Sequence, residues 1–371
     1  MNTEIFQKLQ NDFAGIKEVA VKDIIENIKI SAPWLSEAQL NKEHKNFDNW
    51  INGYGPLQEI LADRQVSDLF INGSESVWID RGFGLQKITA EIGNEKYLRE
   101  FINFLALQRG RLFDDAHPFF DAELERGLRL HAILSPLVEG GIHISIRSNQ
   151  SRASSSSNWL DSDVSKFLFK IVRARKSFLV SGGTGAGKTT LLSTMLEMVE
   201  PSERILILED THELRINHPH VVQMQSKLAN SDGVGEWSLQ DLIRQALRMR
   251  PTRIVMGEVR GREIIDFLLA LNTGHDGGCG TIHANSAKDV PSRIAALGLL
   301  HGVSREAMNA QLGSAFDLLI HLHSINERRS IESINIVKEK FGLVEIIPAI
   351  TIDSNFNITK DVGFAEFEKM L

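Results

Sequence analysis

Phe178-Leu-Val-Ser-Gly-Gly-Thr-Gly-Ala-Gly-Lys-Thr-Thr190 is the stretch on which the fold turns. Its opening, Phe178-Leu-Val-Ser, reads as a short buried strand, and a helix is expected from Lys188. Gly182, Gly187, Lys188 and Thr189 occupy the fixed places of G-x-x-x-x-G-K-[ST], with Gly183, Thr184, Gly185 and Ala186 between them and Thr190 after. Glycines let backbone N–H groups curl around phosphate oxygens. Lys188 adds a positive charge for the β- and γ-phosphates, the Thr189 hydroxyl suits Mg²⁺, and the start of the helix favours negative charge. A loop of this pattern between a strand and a helix predicts a site for ATP and Mg²⁺.

Downstream of the loop, strands and helices alternate. Arg204-Ile-Leu-Ile-Leu-Glu-Asp210 and Arg253-Ile-Val-Met-Gly-Glu258 are strands of the buried kind, as is Gly280-Thr-Ile-His-Ala284. Leu239–Met249 and Ile264–Leu271 have helical spacing. This order implies a largely parallel sheet covered on both faces. From Asp317 onward, strand-like runs at 318–322, 333–337 and 343–347 imply an antiparallel extension.

Upstream, the texture changes twice. Residues 148–158 are serine-rich and read as a flexible linker, because such a run cannot bury apolar surface. Before it, residues 51–147 read as a compact α+β domain. Short strands are expected at Asp68–Gly73, Ser76–Gly82, Arg129–Leu134 and Gly141–Arg147, with an amphipathic helix over Tyr97–Gln108. Residues 1–50 read as a helical extension interrupted at Pro33. The expected organisation is therefore a helical segment (1–50), an α+β domain (51–147), a linker (148–158) and a P-loop domain (159–371).

Composition limits the alternatives. The 371 residues are 42% hydrophobic and 24% charged, the balance of an ordinary globular protein. A net charge of −7 gives the molecule no general attraction for nucleic acid, and direct nucleic-acid binding is not expected. The single cysteine, Cys279, excludes an internal disulfide and fits a reducing compartment. No apolar run reaches the roughly 18 residues needed to cross a bilayer. The expectation is a cytoplasmic protein that works at a membrane only through a partner.

Several further residues belong to the candidate site. Glu209 ends one buried strand, at the edge where open α/β sheets bind ligands. It is a candidate base for polarising water, or one of a pair of solvated turn carboxylates with Asp210. Glu258 ends another strand, but Gly257 sits where many NTPases place an aspartate for Mg²⁺. Glu258 must then act through a Mg²⁺-bound water or orient the attacking water. His275 and His283 suit a γ-phosphate sensor or a domain-interface hydrogen bond better than a metal site, since no carboxylate–cysteine set accompanies them. Cys279, between glycines, reads as a small residue in a tight turn. Two basic groups, Lys166 to Lys176 and Arg244 to Arg253, read either as solvated faces or as arms reaching a neighbouring subunit.

Taken in order, these motifs carry a family likeness. Gly53-Tyr-Gly-Pro-Leu, Val66-Ser-Asp-Leu-Phe-Ile-Asn-Gly, Gly110-Arg-Leu-Phe-Asp, Ser145-Ile-Arg, the P-loop, Leu208-Glu-Asp-Thr-His-Glu, Arg248-Met-Arg-Pro, Gly257-Glu-Val-Arg-Gly, Thr273-Gly-His-Asp-Gly and Gly280-Thr-Ile-His-Ala-Asn succeed one another. The chain from about Tyr54 resembles the type II/type IV secretion-system ATPases, and most of all the Tad/Flp pilus-assembly branch. The Gly257-Glu258 form is normal for that family. The resemblance implies a RecA-like C-terminal domain and hexameric rings, with ATP held between the two domains. It also implies docking on a polytopic inner-membrane protein. By motif it implies Glu209 as catalytic base, Glu258 as Walker B acid, His275 and His283 as histidine-box residues, and Arg129 and Arg147 as phosphate-reaching arginines. Arg111 is a further candidate. The expected function is a motor for pilus assembly or type II-like secretion. The alternatives are a conjugation or effector-export ATPase and a nucleotide-binding scaffold without turnover.

Overall fold

The computed structural model describes residues 26–30, 32–124, 127–148, 163–325, 328–353 and 357–371. The chain divides near residue 154 into two compact units. Most of the expected helical extension, and the serine-rich linker from residue 149, lie outside the described residues.

In the first unit, helix α1 (Glu37–Asn52) opens with a capping box in which Ser36 and Gln39 bond reciprocally. Helix α2 (Glu95–Leu107) starts at Asn94, whose side chain accepts from the Tyr97 N–H, and buries Leu98, Phe101, Ile102 and Leu105. Six strands form one antiparallel sheet: β1 (Asp68–Asn72), β2 (Val77–Asp80), β3 (Leu85–Ile88), β4 (Phe119–Leu124), β5 (Leu128–Ile133) and β6 (His143–Ser148). Their order is β3-β2-β1-β6-β5-β4. In β6 the isoleucines 144 and 146 are buried while His143, Ser145 and Arg147 point to the other face. This is the alternation of a sheet with one face on a core.

The second unit is built on β7 (Phe178–Gly182), β8 (Ile205–Glu209), β9 (Val221–Gln225), β10 (Arg253–Val259), β11 (Cys279–His283), β12 (Leu318–Ile325), β13 (Arg328–Lys340), β14 (Leu343–Ile352) and β15 (Ile358–Lys360). The order is β15-β14-β13-β12-β7-β11-β10-β8-β9. From β12 to β9 the strands run parallel, and β13 to β15 add the antiparallel extension that the tail of the sequence predicts. Every residue of β7 and β8 is buried, because helices cover both faces and leave no solvent side. Helices α3 (Asp163–Arg173) and α4 (Lys188–Glu197) contribute to one apolar layer. Helices α5 (Leu239–Ala246), α6 (Glu263–Leu271), α7 (Val290–Leu299) and α8 (Arg305–Ala315) contribute to the other. A last helix, α9 (Phe364–Met370), buries Phe367 in the first of these layers.

Cys279 is not in a turn. It opens β11 inside the core, where burial pushes its thiol up to about 12. In the two basic groups Lys166, Lys170, Arg173, Arg244, Arg248 and Arg250 are exposed, as a solvated face would be, but Arg253 and Arg175 turn to internal partners. Arg253 is 1% exposed; its Nε and Nη2 donate to Glu203 Oε2 and Oε1 at 2.9 and 3.0 Å. Arg175 Nη1 donates to the same carboxylate at 2.6 Å. These cations hold together the edge of the sheet where the strands begin.

Candidate functional site

The P-loop joins β7 to α4. Gly185 and Gly187 have φ of 76° and 94°, values that a residue with a Cβ rarely adopts. Gly183 and Thr184 are exposed at the crest of the loop, and Ala186 is tucked into the core. A Cβ added at Gly183 or Gly185 would meet no protein atom within 4 Å, so the face of the loop is open. That open face beside the first turn of α4 fits a phosphate chain. Thr189 and Thr190 lie in that first turn, both partly exposed.

Lys188 is buried, and its Nζ donates to the carbonyls of Gly182 and Gly183 at 3.1 and 2.9 Å. Burial lowers its ammonium to about 8, with Glu258 and Glu213 pulling the other way. Nζ also lies 3.2 Å from His283 Nδ1. An ammonium has only donors, so Nδ1 must accept, and the ring proton sits on Nε2. His283 Nε2 is 3.0 Å from Glu258 Oε1 and donates to it. Burial and the Lys188 charge hold the imidazole below its ordinary range, which keeps it neutral in this chain of contacts. The sheet register explains the meeting, because His283 at the end of β11 pairs with Gly182 at the end of β7.

Glu258 owes its position to a bulge. Between Met256 and Val259 strand β10 carries one residue more than its partner β11. Such bulges re-aim side chains at sheet ends. The carbonyl of Gly257 accepts from Thr281 Oγ1 at 2.7 Å, which holds the bulge closed. Gly257 itself is required by Glu209. A Cβ there would stand 2.6 Å from Glu209 Cγ, so the position taken by an aspartate in many NTPases is filled by the neighbouring strand's acid. Glu209 is buried, its Oε1 accepts from the N–H groups of Glu213 and Leu214 at 3.0 and 2.9 Å, and its Oε2 lies 3.7 Å from His212 Nδ1. Of its two readings, the solvated turn carboxylate does not hold for Glu209; Asp210 is exposed.

The structure thus brings Gly182 to Thr190, Glu209, Glu258 and His283 to one edge of the sheet. It does not bring His275 there. His275 precedes β11, at the opposite edge, and its Nδ1 lies 3.0 Å from the Ala270 carbonyl at the end of α6. The two histidines therefore cannot share a ligand within this unit. Arg129 and Arg147 belong to the first unit. They stand directly opposite each other on β5 and β6, so they share a face of that sheet, and Arg147 Nε donates to Asp68 Oδ1 at 2.9 Å. Sequence reasoning gave no role to Arg260, Glu213 or Arg293, whose charges all act on Lys188.

Fold and site together define a RecA-like P-loop nucleotide-binding protein. Residues 52–335 match the family described as type II/IV secretion system protein, and the chain belongs to that family. A putative conjugal transfer protein of Mycobacterium tuberculosis is 41% identical over 309 residues, covering 80% of this chain and 88% of that protein. The conjugal transfer protein TrbB of Rhizobium radiobacter is 29% identical over 284 residues, covering 74% and 84%. Among solved structures, the pilus retraction motor PilT with bound ADP superposes with a TM-score of 0.52 at 20% identity. It covers 78% of this chain and 82% of that one, a likeness of fold. Among the described residues, no helix is long and apolar enough to cross a membrane.

Proposed function

We propose that the protein is an ATP-hydrolysing motor that drives pilus assembly of the Tad/Flp kind or type II-like secretion. The observation that carries this reading is the linked set Lys188, His283 and Glu258 on an open P-loop, with Glu209 fixed behind it. Backbone amides of Gly183 to Thr189 and the Lys188 ammonium bind the β- and γ-phosphates. Thr189 and Glu258 are the residues that would hold Mg²⁺, Glu258 through water, and the ion would offset charge on the phosphates. Glu209, anchored by two backbone amides through Oε1, takes the proton of the attacking water on Oε2. His283 reports to Glu258 whether Lys188 is engaged.

The reading extends to assembly. The second unit's motifs contain no obvious arginine finger, and Arg129 and Arg147 are proposed to supply the positive charge that phosphoryl transfer calls for. A hexameric ring would bring the first unit to a nucleotide of its own or a neighbouring subunit. A polytopic inner-membrane protein would hold the ring at the cytoplasmic membrane.

The test is steady-state turnover of the purified full chain. We expect ATP hydrolysis that falls at least ~100-fold in Glu258→Gln and in Glu209→Gln, the scale of a lost general-base or electrostatic contribution, with nucleotide binding near normal. Binding without any turnover would favour a scaffold. A second reading, a conjugation or type IV secretion motor with the same site, is favoured by the name of the relative at 41% identity. Neighbouring genes separate the two: prepilin and its peptidase support the first, conjugation-channel components the second.

A further inference from the structure

Arg260 follows Glu258 by two residues, just beyond the bulge, and its Nη2 donates to Glu258 Oε2 at 2.5 Å. The other oxygen of Glu258 faces His283 Nε2 at 3.0 Å, so the carboxylate is gripped from both sides, by the turn after β10 and by the end of β11. The grip has a firm base. Glu263, itself buried, accepts from the backbone N–H of Arg260 at 2.6 Å and of Gly261 at 2.7 Å, which pins the turn between β10 and α6. The Arg260 side chain is 48% exposed. Its charge is felt not only by Glu258 but also by Asp210 and Glu213, the acids that follow β8. Without that cation the carboxylates at this edge of the sheet would repel one another and Glu258 would lose the contact that sets its orientation.

We propose that Arg260 is a positioning residue for ATP hydrolysis, holding Glu258 by Oε2 so that the carboxylate stays aimed across the bulge toward His283 and Lys188. The inference rests on the hydrolytic reading of the site, but its core is a contact that can be tested apart from turnover. Arg260 acts through Glu258, and its effect must vanish when Glu258 cannot respond. Only one guanidinium nitrogen makes the contact, so lysine, a point charge with a single reach, can replace it.

The experiment uses the full chain as wild type, Arg260→Gln, Arg260→Lys, Glu258→Gln and the double variant Arg260→Gln/Glu258→Gln. Turnover is measured at saturating MgATP, and binding of a non-hydrolysable ATP analogue is measured with and without Mg²⁺. Arg260→Gln should lower kcat by roughly 10–100-fold, the scale of a mispositioned group, with KM and Mg²⁺-free binding within about threefold of wild type. Arg260→Lys should recover most of the loss. In the Glu258→Gln background, Arg260→Gln should add nothing, as coupled residues that act as one unit do. The gain in analogue affinity on adding Mg²⁺ should shrink measurably in both single variants, by no more than about threefold, and no further in the double than in Glu258→Gln. An equal additional loss of turnover in the Glu258→Gln background would show an independent role, such as direct phosphate contact, and overturn the proposal. So would an undiminished Mg²⁺ gain in Arg260→Gln. A wild-type chain without turnover would refute the hydrolytic reading alone, and the Mg²⁺ gain would still decide whether Arg260 positions Glu258.

Discussion

At the scale of single residues, the site depends on charges placed where water is scarce. Lys188 is the clearest case. Its buried ammonium is held near pKa 8, and bound phosphates favour the charged form. Affinity for ATP should therefore be level below about pH 8 and weaken as pH rises through it, because binding then requires uptake of a proton. Lys188→Ala should abolish that pH dependence and weaken binding roughly 10–150-fold, the effect of losing a charged contact worth about 1.5–3 kcal/mol. Equilibrium titration at several pH values checks both; unchanged affinity in the variant would remove the loop from the site. Gly257 makes the complementary point about shape. Gly257→Ala drives a methyl to within 2.6 Å of Glu209 Cγ. We expect a loss of about 1–3 kcal/mol of stability from overpacking, together with a fall in kcat as Glu209 is displaced. A variant with wild-type melting and turnover would mean that Glu209 can move at no cost.

At the scale of elements, much of the second unit was legible. Continuous apolar runs at 205–208 and 254–256, alternating with helical patterns, read as strands covered on both sides, and the glycine loop between a strand and a helix fixed the register of the motif. What stayed hidden depended on partners distant in sequence. The bulge at Gly257 and Glu258 exists only against β11, and the short edge strands β3, β9 and β15 carry little apolar pattern of their own. Arg253 was misread for the same reason: its sequence neighbours are other cations, while its partner Glu203 lies just before the adjoining strand β8. A clue was present, since a charge at the head of an apolar strand faced an acid at the head of another. Removing one member of a buried pair leaves the other charge uncompensated. Glu203→Ala should lower unfolding free energy by about 3–5 kcal/mol, seen as an early denaturant midpoint, without a specific effect on ATP binding in the folded fraction. A midpoint unchanged from wild type would show that the carboxylate is dispensable.

At the scale of the whole molecule, the proposed motor divides its chemistry between two units, with the acids and the P-loop in one and Arg129 and Arg147 in the other. Specific activity should then rise with protein concentration until assembly saturates. Arg129→Ala should cut kcat by about 10³–10⁵-fold if it serves as a finger, with ATP binding retained. Arg147→Ala is the less clean test, because it also leaves Asp68 without its 2.9 Å partner. Activity independent of concentration, with Arg129→Ala fully active, would leave the first unit as a docking module. The strand order has a consequence for how the chain is made. The P-loop strand β7 is flanked by β11 and β12 and by neither of the strands nearest to it in sequence. On a growing polypeptide, residues 178–182 must wait for residues 279–283, and then for 318–322, to emerge from the ribosome before both edges are paired. Such distant pairing is slow to form. The nucleotide pocket, read first along the sequence, is thus among the last features to be completed at synthesis, and an interrupted chain lacking the final strands carries the full phosphate-binding motif without the sheet that gives it shape.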